Sequence, residues 1–154
     1  MFYGEHEHSI DNKGRLIIPS KFREVSKENY VERFFVTRGL DQCLFVFTED
    51  EWRKQESKFK GLSFTSSQAR SFNRLFFSGA CEVECDKQGR ILIPPYLKEF
   101  AGLKQDVVIV GISNRVEIWG KERWQEFYQK TKGSFEQIAE RIFSGEENTD
   151  EKNG

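Results

Sequence analysis

The chain lacks most of the features that give a function away at a glance. It has three cysteines, Cys43, Cys81 and Cys85, an odd number and too few for a disulfide framework, which suits a reducing compartment. It has no excess of one charge: 24 basic and 25 acidic residues leave a formal net charge of -1. That excludes a histone-like protein that holds nucleic acid by bulk charge, so any anion site is local. The longest strongly apolar run, Val107 to Ile112, is far too short for a membrane span and reads as a buried strand. Met1 to His8 has neither the basic nor the apolar segment of a secretory leader, so a cytoplasmic protein is expected. A Gly-rich phosphate loop, a Gly-x-Ser-x-Gly elbow and a His-Glu-x-x-His pair are all missing, so no enzyme, no catalytic residue, no cofactor and no small-molecule substrate is expected.

What remains is a chain of one-domain size, 154 residues with 32% charged and 37% hydrophobic residues and 15 Phe, the composition of a soluble globular protein with an aromatic core. Charge is unevenly spread along it. Residues 145–154 carry Glu146, Glu147, Asp150 and Glu151 against Lys152, an acidic tail expected to be disordered. Between Asp11 and Arg23 the balance reverses, with Lys13, Arg15, Lys21 and Arg23 against one aspartate.

An internal repeat organises the sequence. Asp11-Asn-Lys-Gly-Arg-Leu-Ile-Ile-Pro19 returns as Asp86-Lys-Gln-Gly-Arg-Ile-Leu-Ile-Pro94, 75 residues on. Upstream, Gly4 falls on Gly79 and Glu7 on Glu82; downstream, Phe22 to Val25 falls on Leu97 to Phe100. After three residues are lost, Gly39 falls on Gly111, Leu44 on Val116, Val46 on Ile118, Phe47 on Trp119 and Trp52 on Trp124. The expected organisation is a first repeat with its linking helices over 1–76, a second with C-terminal helices over 77–144, and the tail.

Each copy reads as strand, tight turn, strand, short helix, strand, hairpin, strand, helix. Glu5 to Ile10 alternates and leads into the turn Asn12-Lys-Gly14; Arg15 to Ile18 is a strand that Pro19 ends, and Ser20 is placed to cap the next helix. Phe34 to Thr37 and Leu44 to Phe47 form a second strand pair. Capping boxes at Thr48-Glu-Asp-Glu51, Thr65-Ser-Ser-Gln68 and Ser134-Phe-Glu-Gln137 start three helices, the first burying Trp52 and the last carrying Phe135, Ile138, Ala139 and Ile142 on one face. That last face suits a subunit contact or packing on its own barrel. Two half-domain units that cannot bury their apolar faces alone should pair about a pseudo-twofold axis into one small barrel or sandwich. The matched turns then present two similar surfaces.

The turns carry the chemistry. Gly14 and Gly89 supply positive φ, and Asp11 and Asp86 accept backbone N–H groups across the turn. Lys13, Arg15, Lys87 and Arg90 sit at or beside the tip, where a core has no use for them. An exposed arginine fork pairs with guanine O6 and N7, a nearby lysine neutralises phosphate, and a β-ribbon is narrow enough for the major groove.

With Met-Phe-x-Gly-Glu at its start and the duplicated Asp-x-x-Gly-Arg-x-x-x-Pro, the sequence resembles the MraZ family of bacterial transcriptional regulators over about residues 1–143. The resemblance implies an α+β fold, in which two tandem ββαβ-type AbrB-like halves form one swapped-hairpin β-barrel with flanking helices. It also implies a ring-shaped homo-oligomer, associated with the nucleoid, that binds double-stranded DNA at short G-rich direct repeats in the promoter of its own division and cell wall gene cluster. The family's Asp-x-x-x-Arg motif places the base-reading role on Arg15 and Arg90, with Lys13 beside the first. Copy two departs here, since Lys13 is matched by Gln88 and the lysine moves to Lys87.

The blander alternatives are specific. Each arginine could simply pair with its own aspartate in a stabilised hairpin, a weak surface pair, although recurrence in both copies argues for more. Asp11 and Asp86 do not make an aspartic-protease dyad, because adjacent lysines hold both ionised. His6, His8 and Cys81 lack the further ligand a zinc site needs. The competing functional reading is a ring-forming protein-interaction module whose turns are only solvated.

Overall fold

The computed structural model describes residues 1–25, 27–28 and 31–145; the acidic tail from Glu146 on lies outside the described residues. In the first half, strands β1 (Phe2–Ser9) and β2 (Arg15–Ile17) precede helix α1 (Ser20–Val25). Strands β3 (Lys27–Glu28), β4 (Val31–Arg38) and β5 (Leu44–Phe47) then lead to helices α2 (Glu49–Lys60) and α3 (Ser67–Ser78). The second half repeats the order, apart from β3, with β6 (Cys81–Glu84), β7 (Arg90–Leu92), α4 (Pro95–Ala101), β8 (Asp106–Ser113), β9 (Val116–Gly120) and α5 (Lys121–Thr131). A 3-10 turn (Lys132–Ser134) and α6 (Phe135–Ser144) follow. No described helix is long and apolar enough to cross a membrane. The fold is α+β, built on antiparallel pairing.

The two copies complete one another. β1 of the first copy pairs with β8 of the second, β6 of the second with β4 of the first, β5 with β9, and β2 with β7, all antiparallel. The hairpins β4–β5 and β8–β9, the short pair β3–β4 and the isolated Ile10–Leu16 bridge stay within one copy. The main sheet runs β1-β8-β9-β5-β4, with β3 and β6 both against β4, and β2–β7 forms a separate two-stranded ribbon. The described pairings leave this path open rather than closed into a barrel.

The registers also correct the sequence alignment of the copies. Ser9 stands opposite Asp106, and the equivalent Glu84 opposite Arg33, so Arg33 matches Asp106 and Arg38, not Gly39, matches Gly111. Two of the three lost residues therefore precede β8, and one falls in the β8–β9 hairpin.

Burial follows from this pairing. β4 sends Phe34 and Val36 to the central core, where Leu16, Ile18, Ile91, Ile93, Val107, Ile109 and Ile118 from both copies are also buried. Its alternate residue Phe35 turns the other way and stacks on Trp52 of α2, ring centroids 5.4 Å apart. β5 is buried at all four positions for the same reason: Leu44 and Val46 face the core, while Phe47 packs against Trp52 and Phe76. α3 is pinned from its C-terminal end, since the buried Thr37 hydroxyl donates to the Phe76 carbonyl and Arg38 Nη1 to the Leu75 carbonyl at 2.8 Å. These bonds satisfy carbonyls that a helix end otherwise leaves orphaned.

Three cap expectations are corrected. Ser20 is the first residue of α1, and the Pro19 carbonyl accepts from Phe22 and Arg23, because proline needs no N–H at that point. Ser66 rather than Thr65 caps α3, its hydroxyl accepting from the Ala69 N–H at 3.3 Å. Ser134 makes no side-chain cap bond, since its φ of -103° and ψ of 3° belong to the preceding 3-10 turn and not to an extended cap residue. Thr48 caps α2 as expected, accepting from the Glu51 N–H.

The chain divides into compact units Met1–Lys121 and Glu122–Gly154. The first contains every strand of both copies. Within the second, Trp124 and Phe127 pack together at 5.5 Å, and Phe135, Ile138 and Ile142 of α6 are exposed.

Candidate nucleic-acid interface

The two turns are built alike from their sequence. In the first, Asp11 Oδ1 accepts the backbone N–H groups of Lys13 and Arg15, both at 2.9 Å, and Gly14, at φ 83°, donates to the Asp11 carbonyl. In the second, Asp86 Oδ1 accepts from Gln88 and Arg90, again both at 2.9 Å, and Gly89, at φ 77°, donates to the Asp86 carbonyl. The bond from the Arg15 backbone, supported by the Arg15 side chain and the Lys13 N–H, pulls the Asp11 carboxyl down to about 2. The corresponding bonds from Arg90 and Gln88 lower that of Asp86. Both aspartates are therefore ionised at neutral pH.

Each arginine pairs with its own aspartate. Arg15 Nε lies 2.7 Å from Asp11 Oδ2 and Arg90 Nε 2.8 Å from Asp86 Oδ2. The bland pairing is thus present in both copies, with consequences beyond a surface ion pair. A guanidinium held at Nε is fixed in orientation, and its two Nη groups form an edge that can take a bidentate acceptor. The arginine side chains retain 32% and 22% exposure, so they are neither buried nor loose.

The two matched turns, expected to present two similar surfaces, stand side by side on one ribbon. β2 pairs with β7, Arg15 opposite Leu92, Leu16 opposite Ile91 and Ile17 opposite Arg90. The turns are also tied to each other, the Ile18 N–H donating to the Gly89 carbonyl and the Ile93 N–H to the Gly14 carbonyl, each at 2.9 Å. Leu16 and Ile91 point inward and are fully buried, so the alternate residues Arg15, Ile17, Arg90 and Leu92 share the outer face of one ribbon. Arg90 Nη1 comes within 3.9 Å of Asp11 Oδ2, placing Asp11 between the two arginines. The tips merge because the turns connect strands exchanged between copies. Within one copy each hairpin has nothing to pair with on that side.

Lys13 and Lys87 are exposed in the two turns. Arg23, which belongs to the same basic stretch of sequence but stands outside the Asp-x-x-Gly-Arg motif, lies against the second turn. Its Nε donates to the Ile18 carbonyl at 3.0 Å, and its guanidinium carbon lies 2.6 Å from where a Cβ on Gly89 would stand. The position equivalent to Arg23 in copy two is Lys98, and the first turn is covered instead by Leu92 and the Ile93 carbonyl. The sequence signal for Arg23 is the excess of cations from Asp11 to Arg23. The signal for Ile17 and Leu92 is their alternation with the buried Leu16 and Ile91.

The remaining candidates have structural explanations. His6 packs edge-on against Phe22 at 5.1 Å, and burial, with the nearby His6 adding to it, lowers the His8 pKa, which keeps that ring neutral at pH 7. Among the described residues no three His, Cys, Asp or Glu side chains are grouped to hold a metal ion. Cys43 is buried, and its thiol donates to the Leu40 carbonyl.

The family model for MraZ, described as an antitoxin-like protein, matches residues 1–75 and again 76–145. The two matches meet within the last turn of α3, and each contains one Asp-x-x-Gly-Arg turn. The chain therefore belongs to the MraZ family, a regulator-like family, with one family repeat in each half.

Proposed function

We propose that this protein is a sequence-specific DNA-binding transcriptional regulator that sets the outer face of the β2–β7 ribbon into the major groove. The observation that carries the reading is the pair of arginines, each bracketed by its own aspartate, on one face of one ribbon. Lys13 and Lys87 are exposed in the adjoining turns and Arg23 lies against the second turn, so five cations stand around the ribbon against two aspartates on a chain of net charge -1. Arg15 and Arg90 take guanine edges, while Lys13 and Lys87 neutralise phosphates. Exchange of β1 and β6 between the repeats supports the swapped-hairpin architecture as the scaffold.

One ribbon neutralises few phosphates, so useful affinity requires several chains acting together. A ring-shaped homo-oligomer on short G-rich direct repeats, in the promoter of its own division and cell wall gene cluster, meets that requirement. Cytoplasmic, nucleoid-associated action follows from it.

The test is fluorescence anisotropy at about 150 mM salt, comparing DNA from just upstream of the coding sequence with a shuffled fragment of equal composition. A preference of about a thousandfold or more supports the reading. Arg15→Ala and Arg90→Ala should each weaken specific binding by about 1–3 kcal/mol, whereas Lys13→Ala should weaken all sequences alike and flatten the salt dependence. Equal, weak binding to both fragments would move the function to a protein partner.

A further inference from the structure

The ribbon presents more than cations. Ile17 and Leu92 are 45% and 57% exposed, although strand neighbours Leu16 and Ile91 are wholly buried. They occupy the same place in the two copies, and each stands directly across the ladder from an arginine, Ile17 from Arg90 and Leu92 from Arg15. An isolated exposed aliphatic residue needs no explanation. Two at equivalent positions, alternating with the two arginines on the one outward face, make a four-residue reading surface.

Resting on the reading of this ribbon as a major-groove element, we propose that Ile17 and Leu92 are specificity residues that recognise thymine through its C5-methyl group. In the major groove that methyl is the apolar mark that distinguishes thymine. Directly opposed residues of an antiparallel pair lie about 4.5–5.5 Å apart at Cα, between one and two times the rise of about 3.4 Å per base pair, so their side chains reach within one two-base-pair step. Each half of the ribbon therefore sets an arginine and an aliphatic group over neighbouring bases, and the preferred site carries a thymine next to a guanine in each half. A polar residue at position 17 or 92 would leave the ribbon's fold intact and remove this reading.

The experiment starts from random DNA. The full-length protein selects a duplex from a randomised library, and the enriched duplex is then resynthesised with uracil in place of thymine, which removes the methyl groups and keeps every hydrogen-bonding edge. The unaltered protein should bind the uracil duplex about fourfold more weakly for each contacted methyl. The Ile17→Ser, Leu92→Ser double variant should bind both duplexes equally, with the salt dependence of the unaltered protein. Equal binding of both duplexes by the unaltered protein, while Arg15→Ala still loses specificity, would overturn the methyl reading and leave the DNA-binding proposal standing. A thymine preference that persists in the double variant would assign the methyl contact to other residues and overturn it too. Failure to enrich any sequence would remove the DNA-binding proposal itself, and this inference with it.

Discussion

Gly14, Gly89 and Gly102 share a left-handed backbone, with φ of 83°, 77° and 60°. A methyl group at any of them incurs the same conformational cost, about 1–2 kcal/mol. They differ in what the methyl meets. At Gly102 it meets nothing within 4 Å; at Gly14 it comes 3.3 Å from the Ile93 carbonyl oxygen; at Gly89 it falls 2.6 Å from Cζ and 2.7 Å from Nε of Arg23. Arg23 must then swing away and lose its bond to the Ile18 carbonyl, a part-buried interaction contributing about 1 kcal/mol. The expected destabilisation is about 1–2 kcal/mol for Gly102→Ala, a little more for Gly14→Ala, and about 2–3 for Gly89→Ala. Urea unfolding at one fixed protein concentration measures all three on the same footing. The decisive comparison is Gly89→Ala in an Arg23→Ala background, where nothing is left to displace. Its cost should fall by about 1 kcal/mol, to that of Gly102→Ala. An equal cost in both backgrounds would refute the idea that Arg23 of the first repeat holds the turn of the second.

Three further outcomes are expected. A Cβ on Gly111 would stand 2.4 Å from the Tyr3 backbone nitrogen and 2.6 Å from the Phe2 carbonyl carbon; backbone cannot step aside within the β1–β8 ladder, so Gly111→Ala should cost about 3 kcal/mol or more in urea unfolding. Because folding lowers the Asp11 pKa to about 2 and also lowers that of Asp86, their contribution to stability is complete above the ordinary aspartate value and is lost as pH falls through the folded one. Thermal unfolding temperatures followed from about pH 5 downward should fall less steeply in the Asp11→Asn, Asp86→Asn double variant than in the unaltered protein. Burial pushes the Cys43 thiol far up, so a thiol reagent at pH 8 should modify Cys81 and Cys85 in the native protein and reach Cys43 only on unfolding.

Local structure was legible in the sequence wherever one segment held its whole cause. The Asp-x-x-Gly-Arg turns needed only an aspartate to accept N–H groups, a glycine for positive φ and apolar residues on either side. Trp52 on the buried face of α2 followed from helical spacing after Thr48. Caps were less legible where several candidates lay side by side. In Thr65-Ser66-Ser67 each hydroxyl could serve, and the choice of Ser66 depends on where the chain leaves the preceding turn. Ser134 fits the capping pattern, yet the 3-10 turn before it takes away the extended backbone a cap requires.

The sequence by itself determined that the chain is a duplication, that each copy has a basic hairpin turn, and that the copies must bury their apolar faces together. These are properties of residue types at short spacing, and local sterics and hydrogen bonding enforce them. Only the tertiary structure decided that the two turns lie side by side on one ribbon. Arg15 and Arg90 come together because β2 takes β7 as its partner and the Gly14 and Gly89 carbonyls are used by the opposite repeat. Strand pairing of this kind is chosen by the packing of Leu16, Ile91 and the rest of the shared core over long sequence separations, and no short window of sequence contains that choice.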